Sequence, residues 1–355
     1  MTGIESMVGR PLVWLDASGP SSETVMSTRI RLARNISSIP FIARAREDQL
    51  NVVMRTVTSS ASGAKGLERS KFLRMADLSV LDRAFLVERH LISPDFSNES
   101  PNRGILVGED ETESVVINEE DHLRIQVICS GEQITEAWER ANALDDHLEE
   151  TLEYCFSPDL GYLTSCPTNV GTGLRASVLV HLPALVLTKQ IRKVIRGVAQ
   201  VGLAVRGFYG EGSEVVGNFF QISNQITLGQ SENETLEGLE RVVRQVLGHE
   251  EKARELLLND ARVQVEDKVW RAYGTLSNCR VVTSQEIVNL TSAVRLGVAM
   301  GFPGLPSLKT INELLVLTQP AHLQVSAGRE MDSTERNVLR AGEVRKRLGL
   351  SPVED

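Results

Sequence analysis

The sequence predicts an α+β fold: an antiparallel β-sheet flanked by helices, followed by a small all-helical C-terminal region. Three observations predict it. Short stretches with apolar residues at every second position recur between Ser27 and Leu228. Longer stretches between them, 45–60 and 132–154, carry apolar residues three and four apart. From Ser231 onward the pattern is almost wholly helical.

A chain of 355 residues suggests two domains, divided here near residue 255 into 1–254 and 255–355. Hydrophobic residues make up 41%, enough for a sizeable core. A net charge of −9 argues against non-specific nucleic-acid or membrane binding. Aromatic residues, at 5%, are too few for a base-stacking surface. No apolar run is long enough to span a bilayer. Residues 1–10 lack the charged start and apolar core of a secretory signal. Cys129, Cys155, Cys166 and Cys279 show no metal-type pairing, so a reduced, cytoplasmic setting is expected.

Taken in order, 27–36 reads as a strand with Arg29 and Arg31 on one face and Ile30 and Leu32 on the other. Stretches 45–60 and 70–92 read as helices, the second stopped by Pro94. Two short strands, 104–108 and 114–118, flank an acidic turn. If 116–128 stays extended, Glu120, His122 and Arg124 share one face, and Leu123, Ile125 and Val127 the other. Sheets rarely give a whole strand face to ionisable groups. That face is therefore either chemistry or a solvated surface. Helix 132–154 follows, then a Gly/Thr/Pro-rich loop at 161–173 and a strand from Leu174. A basic amphipathic helix at 187–200 precedes a strand at 203–206, a glycine-rich loop at 207–217 and a strand at 218–228. Ser231-Glu232-Asn233-Glu234 is a capping box opening a helix to about Asn259.

Five arginines, Arg29, Arg31, Arg124, Arg175 and Arg206, lie on or beside apolar strands. Inward-facing arginines cost several kcal/mol each unless paired, roughly. They pair with carboxylates, lie on a solvated face, or converge on a polyanion, for which the guanidinium fork suits phosphate oxygens. The segment Gly207-Phe208-Tyr209-Gly210-Glu211-Gly212 is neither a P-loop nor a dinucleotide fingerprint. It reads as a plain hairpin loop or as a tip that carries Glu211 like a lid. Cys166 sits in an open polar loop with Arg175 following, a setting that favours reactivity over simple burial.

Four ordered motifs then carry a resemblance. They are Ser27-Thr28-Arg29-Ile30-Arg31; Asn118-Glu119-Glu120-Asp121-His122-Leu123-Arg124; Cys166-Pro167-Thr168-Asn169 with Gly171-Thr172-Gly173-Leu174-Arg175-Ala176-Ser177; and Arg206-Gly207-Phe208-Tyr209-Gly210-Glu211-Gly212-Ser213-Glu214. Together they resemble the signature set of the phosphagen (guanidino) kinases, most closely the bacterial branch acting on arginine side chains of proteins. The resemblance implies transfer of the γ-phosphoryl group of ATP, with Mg²⁺ held through the nucleotide, to a guanidino nitrogen. It implies that Glu120 and Glu211 are the catalytic carboxylates and that Cys166 lies beside the reacting nitrogen. It implies an ATP site of Ser27, Thr28, Arg29, Ile30, Arg31, His90, Arg124, Arg175, Ala176, Ser177, Val178 and Leu179, completed by Arg206, Gly207, Phe208, Tyr209, Gly210 and Glu211. The chemistry is consistent: a guanidinium, with a pKa above about 12, is a poor nucleophile. Two carboxylates can orient it and take its proton as the N–P bond forms.

Small-molecule members carry a sizeable helical domain before the first motif. Here only residues 1–26 precede it, which implies an open site able to admit an arginine on a protein. The resemblance further implies a bacterial stress-response role and protein substrates with exposed arginines. The implied partners are a zinc-containing activator protein, a Clp-type unfoldase/protease, a heat-shock repressor and a second copy of the chain. In the tail, Arg336-Asn337-Val338-Leu339-Arg340-Ala341 resembles the family's Arg-Asp-x-x-Arg-Ala motif, a phosphoarginine pocket. Asn337 replaces its Asp, and a solvated basic helix is the alternative. The other functional readings are a kinase of free arginine or a similar guanidino compound, and a non-catalytic phosphoarginine-binding adaptor.

Overall fold

Strand β1 (Val25–Arg34) is the middle of the molecule because its two faces differ in kind. Ile30 and Leu32 are fully buried, whereas Arg29 and Arg31 on the alternate face are only half-buried. The computed structural model describes residues 3–98, 100–207 and 216–350. Around β1 runs an eight-stranded sheet in the order β2-β3-β4-β5-β1-β8-β10-β9. Its members are β2 (Lys71–Arg74), β3 (Gly104–Val107), β4 (Glu113–Ile117), β5 (Leu123–Ser130), β8 (Leu174–His181), β9 (Leu203–Arg206) and β10 (Phe219–Asn224). Every pairing is antiparallel. β6 (Phe156–Ser157) and β7 (Gly161–Tyr162) form a separate small hairpin.

Helices cover the apolar face. α1 (Glu47–Ser60), α3 (Ile134–Glu149) and α6 (Glu232–Asp260) bring Val53, Leu144, Leu148, Leu239 and Val243 onto Ile30, Ile125, Val127 and Val178. α6 opens on the Ser231/Glu234 capping box that its sequence announces. On the opposite face, the segment around Trp14 and Leu15 packs on Met26, Ile128, Leu179 and Phe219. Val288 of α8 (Ser284–Ala299) and Leu315 of α9 (Leu308–Leu317) join that cluster, so the tail covers one end of this face. α7 (Arg262–Asn278), α10 (Pro320–Ala327) and α11 (Ser333–Arg347) complete the tail. The division expected near residue 255 lies inside α6, and the chain turns at Ala261.

Three expectations are corrected. Residues 70–92 are not one helix: β2 pairs with β3, and α2 (Val80–Glu88) starts at a Ser79/Asp82 capping box. That helix ends before Pro94, because His90 takes a left-handed backbone (φ 61°). Residues 187–200 are also divided, into α4 (Pro183–Leu187) and α5 (Ile191–Gln200), around a left-handed Lys189. Most consequentially, 116–128 is a hairpin and not one strand. Asn118 is left-handed (φ 61°), and its side-chain amide donates to the carbonyls of Leu50 and Asn102. Those tertiary bonds turn the chain over 118–122.

Arg34, at the end of β1, is buried against Asp145 of α3 at 2.6 Å, with Tyr162 stacked on its guanidinium at 3.5 Å. Removing one partner strands the other charge in the core. Asp145→Ala is expected to lose about 3–5 kcal/mol of stability, read from the midpoint of denaturant unfolding.

Candidate active site

Register decides which side chains meet. Residues opposite each other on antiparallel strands share a face. Arg31 of β1 lies opposite Gln126 of β5 on one side and Arg175 of β8 on the other. Ala33 lies opposite Arg124, and Arg29 opposite Ser177. Ser177 lies opposite Ser223 of β10, and Gln221 opposite Arg206 of β9. Arg29, Arg31, Arg124, Arg175 and Arg206 therefore stand on the same face, contributed by four strands. They line one cleft of about 970 Å³ together with His90, Gln126, Gln221 and Ser223.

The cleft is electrically unbalanced. Burial, then the Arg124 and Arg175 guanidiniums, lowers the pKa of Arg29 to about 10. Burial and the charges of Arg29, Arg124 and Arg175 pull Arg31 well below the ordinary arginine value. The buried Nε–H groups of Arg31 and Arg124 find no hydrogen-bond partner among the described residues. Among the described residues, Glu119 opposes the cluster. It forms an ion pair with Arg124 and accepts the Ser93 hydroxyl at 2.6 Å. Guanidiniums held together in this way favour an anion carrying several oxygens.

The acidic side of the cleft is built by the 118–122 turn. Asp121 accepts from the Asn35 side-chain amide and from the Ser165 backbone N–H, both at 2.6 Å. One carboxylate thus ties the turn to the segment holding Cys166. His122 is wholly buried: its Nδ1 accepts the Ile36 N–H at 3.1 Å, and its Nε2 meets the Pro40 carbonyl at 3.1 Å. It does not share a face with Glu120 and Arg124, which corrects the extended-strand reading. Glu120 stands exposed on the cleft wall beside Cys166 and Asn169. The Asn169 amide donates to it at 3.3 Å, and the neighbouring Cys166 thiol favours its ionised form. Desolvation, then the Asp121 charge, raises the Glu120 carboxyl above its usual value.

A smaller cavity continues from the cleft past Arg29, His90 and Gln221 to Trp14, Ser27, Ser177 and Leu179. Burial, then the Arg29 charge, lowers the His90 imidazole to about 3, so it is neutral. Its ring meets Trp14 edge-on at 5.3 Å. Of the contiguous runs expected to bind nucleotide, Thr28, Ile30, Ala176 and Val178 alternate onto the other face. The Thr28 hydroxyl is committed to Gly131 and Gln133. Phe208, Tyr209, Gly210 and Glu211 lie outside the described residues, and Gly207 directly precedes them.

Comparison with known proteins shows the family. Residues 51–253 match the family described as ATP:guanido phosphotransferase, C-terminal catalytic domain. Residues 262–355 match the Protein-arginine kinase McsB C-terminal domain. The protein-arginine kinase of Bacillus subtilis (strain 168) is 48% identical over 339 residues, covering 95% of this chain and 93% of its own. The chain belongs to the protein-arginine kinase family. A second relative, the protein-arginine kinase of Symbiobacterium thermophilum, is 48% identical over 94% of this chain and 96% of its own. Among solved structures, a lombricine kinase aligns with TM-score 0.58 and 26% identity over 69% of this chain and 71% of its own. The duplicated taurocyamine kinase of Schistosoma mansoni shares the fold, with TM-score 0.61 and 24% identity over 71% of this chain and 36% of its own.

Several cleft residues of this family member escape sequence reading. The Gln221/Ser223 alternation against Phe220 and Ile222 is a polar-face signal on β10 that could have been read. Trp14 gives no such signal, because its position depends on how the leading segment folds back. The tail motif is partly buried. Arg340 is buried and donates to the Thr318 and Val282 carbonyls at 2.8 and 3.0 Å and to the Asn337 side-chain oxygen at 2.5 Å. Ala341 is in the tail core, and Arg336 donates to the Met331 carbonyl at 2.5 Å. The two arginines four apart do not stand as an open pair, because the face carrying Arg340 packs inward.

Proposed function

We propose that the five-arginine face holds the polyphosphate of ATP while Glu120 and Cys166 receive the guanidinium that becomes phosphorylated. The single supporting observation is the convergence of those arginines from four strands opposite a carboxylate. The protein is an ATP-dependent protein-arginine kinase, transferring the γ-phosphoryl group to arginine side chains. Arg29, Arg31, Arg124, Arg175 and Arg206 spread over the phosphate oxygens and stabilise the charge of the transferring group. Glu120 grips the guanidinium N–H groups, aims the accepting nitrogen in line with phosphorus and takes its proton. Glu119 fixes Arg124, and Asp121 fixes the turn that carries Glu120. Mg²⁺ bound to the nucleotide would add positive charge at the phosphates. Glu211 is proposed as the second carboxylate.

The deprotonated form of Glu120 is the working form. Its pKa is raised, so the rate is lost as pH falls through that raised value. Asp121→Asn keeps an oxygen to accept from Asn35 and Ser165 but removes the second cause of the shift. It is expected to move the acid limb of kcat/KM to lower pH. An acid limb that stays in place removes Glu120 as the titrating group.

The acceptor separates this reading from a kinase of free arginine. Intact-mass analysis of a protein substrate after incubation with Mg-ATP should give an acid-labile gain of phosphoryl groups. Free arginine under the same conditions should give far less product. Product on free arginine alone would reverse the assignment. We also propose a bacterial stress-response setting in the cytoplasm, with the zinc-containing activator, the Clp-type unfoldase/protease and the heat-shock repressor as partners. No described helix is long and apolar enough to cross a membrane. Homodimerisation through the tail is proposed from the exposed Val263 and Trp270 on α7, 74% and 42% accessible. The units 1–254 and 255–355 are proposed as catalytic and helical domains. Phosphoarginine binding near Arg336 and Asn337 remains a proposal, tested by calorimetric titration of the wild type against Arg336→Ala.

A further inference from the structure

The last turn of α2 is one of the places where the helical tail meets the catalytic region, beside the α8 and α9 contacts. Glu88 accepts three hydrogen bonds from the start of α10: the Ala321 N–H at 2.8 Å, the His322 N–H at 2.9 Å and His322 Nδ1 at 2.8 Å. The next residue, Arg89, is buried and bidentate to Glu111, both contacts at 2.6 Å. Its remaining nitrogen Nη1 meets His322 Nε2 at 3.4 Å. Arginine has donors only. Nε2 must therefore accept, Nδ1 carries the proton, and the ring is neutral with both nitrogens used. Phe85 stacks on the same imidazole, with ring centroids 4.4 Å apart. The residue after Arg89 is His90, which lines both cavities of the site. It has the left-handed backbone (φ 61°), which costs of order 1 kcal/mol in a residue with a side chain and persists only where the surroundings fix it. The His90 carbonyl in turn accepts the Gln126 amide at 3.0 Å, and Gln126 lies on the arginine face.

We infer that Glu88, Arg89 and His322 are positioning residues, a clamp by which the helical tail fixes His90 in the nucleotide site. The inference rests on the proposed reading of that site as the ATP site. None of the three touches the cleft themselves. Their action is on the turn at His90, on its Trp14 contact and on the Gln126 bond. Loosening α10 frees that turn to leave its strained conformation, and nucleotide affinity is lost before the phosphoryl-transfer step is touched. Glu120, on the 118–122 turn, and Cys166, on the segment after Ser165, are held elsewhere, through Asp121 and Asn35.

The test uses the full chain carrying His322→Ala, His322→Asn or Glu88→Gln. Each is measured for nucleotide affinity by equilibrium titration and for kcat and KM, with Arg29→Ala as a control. His322→Ala is expected to raise the KM for ATP and the Kd by about tenfold, the size of one lost buried bond to a charged group. Its kcat should stay within about threefold. His322→Asn, whose side-chain N–H can still donate to Glu88, should recover most of the affinity. Glu88→Gln should reproduce the loss should the alanine variant not fold. A folded His322→Ala or Glu88→Gln variant with wild-type ATP affinity overturns the clamp, as does a fall in kcat at unchanged KM. If Arg29→Ala also binds ATP normally, the nucleotide-site reading has failed, and the clamp with it. If Arg29→Ala alone loses ATP, only the clamp has failed.

Discussion

Glu120→Ala is expected to lower the rate of protein-arginine phosphorylation by about 10²–10⁴-fold, the range for removing a positioned general base. ATP affinity should be nearly unchanged. The separation follows from geometry. Glu120 belongs to the 118–122 turn on the cleft wall, whereas the arginines rise from the sheet below it. Glu120→Gln should lose nearly as much rate, because the amide keeps the size of the side chain but cannot take the proton. Quench-flow measurement with saturating Mg-ATP reads the chemical step directly. Near-normal phosphorylation by the alanine variant would remove Glu120 from the reaction.

Arg31→Met should have the opposite signature, losing function while gaining stability. Arg31 lies opposite Arg175 in register and near Arg29 and Arg124, with a buried Nε–H that has no partner among the described residues. Without an anion, that cluster works against folding, because like charges are held together away from water. Replacing one member by an apolar side chain of similar length should raise the melting temperature of the ligand-free protein. If the cleft holds the phosphates as proposed, the same change removes a donor to the transferring phosphoryl group, worth about 10²–10³-fold in rate. Differential scanning fluorimetry without nucleotide reads the first effect and steady-state kinetics the second. A variant that is both less stable and fully active would mean that the arginines are paired for structure. Strain stored at a site and released by a disabling substitution is the pattern expected of a functional cluster.

Period-two alternation is what made the site legible. Arg29 and Arg31 were readable as a pair opposite Ile30 and Leu32, and the sheet register then brings Arg124, Arg175 and Arg206 to the same face. The turn at 118–122 was not readable. What bends it is the amide of Asn118 reaching Leu50 and Asn102, residues distant in sequence, and no local pattern carries that information. β2 was hidden for a related reason. Four residues, Lys71–Arg74, leading into a helix fit a continuous helical spacing as well as a strand, and only pairing with β3 decides. In the tail, Arg340 is put by spacing on one helix face with Arg336, either as one of a phosphoryl-binding pair or on a solvated basic helix. Its guanidinium is instead consumed by the Thr318 and Val282 carbonyls, a burial that arginine spacing on one helix cannot reveal. The Glu211 segment lies outside the described residues, so its role rests on the motif alone.

The most direct test is a crystal structure of the protein with Mg-ADP or a non-hydrolysable ATP analogue. The terminal phosphates should lie within hydrogen-bond reach of Arg29, Arg31, Arg124, Arg175 and Arg206, with the base towards His90 and Trp14. The Glu120 carboxylate should face the last phosphorus across a gap that fits one guanidinium. A nucleotide seated elsewhere, or phosphates that leave these arginines unengaged, would contradict the proposed chemistry of the cleft.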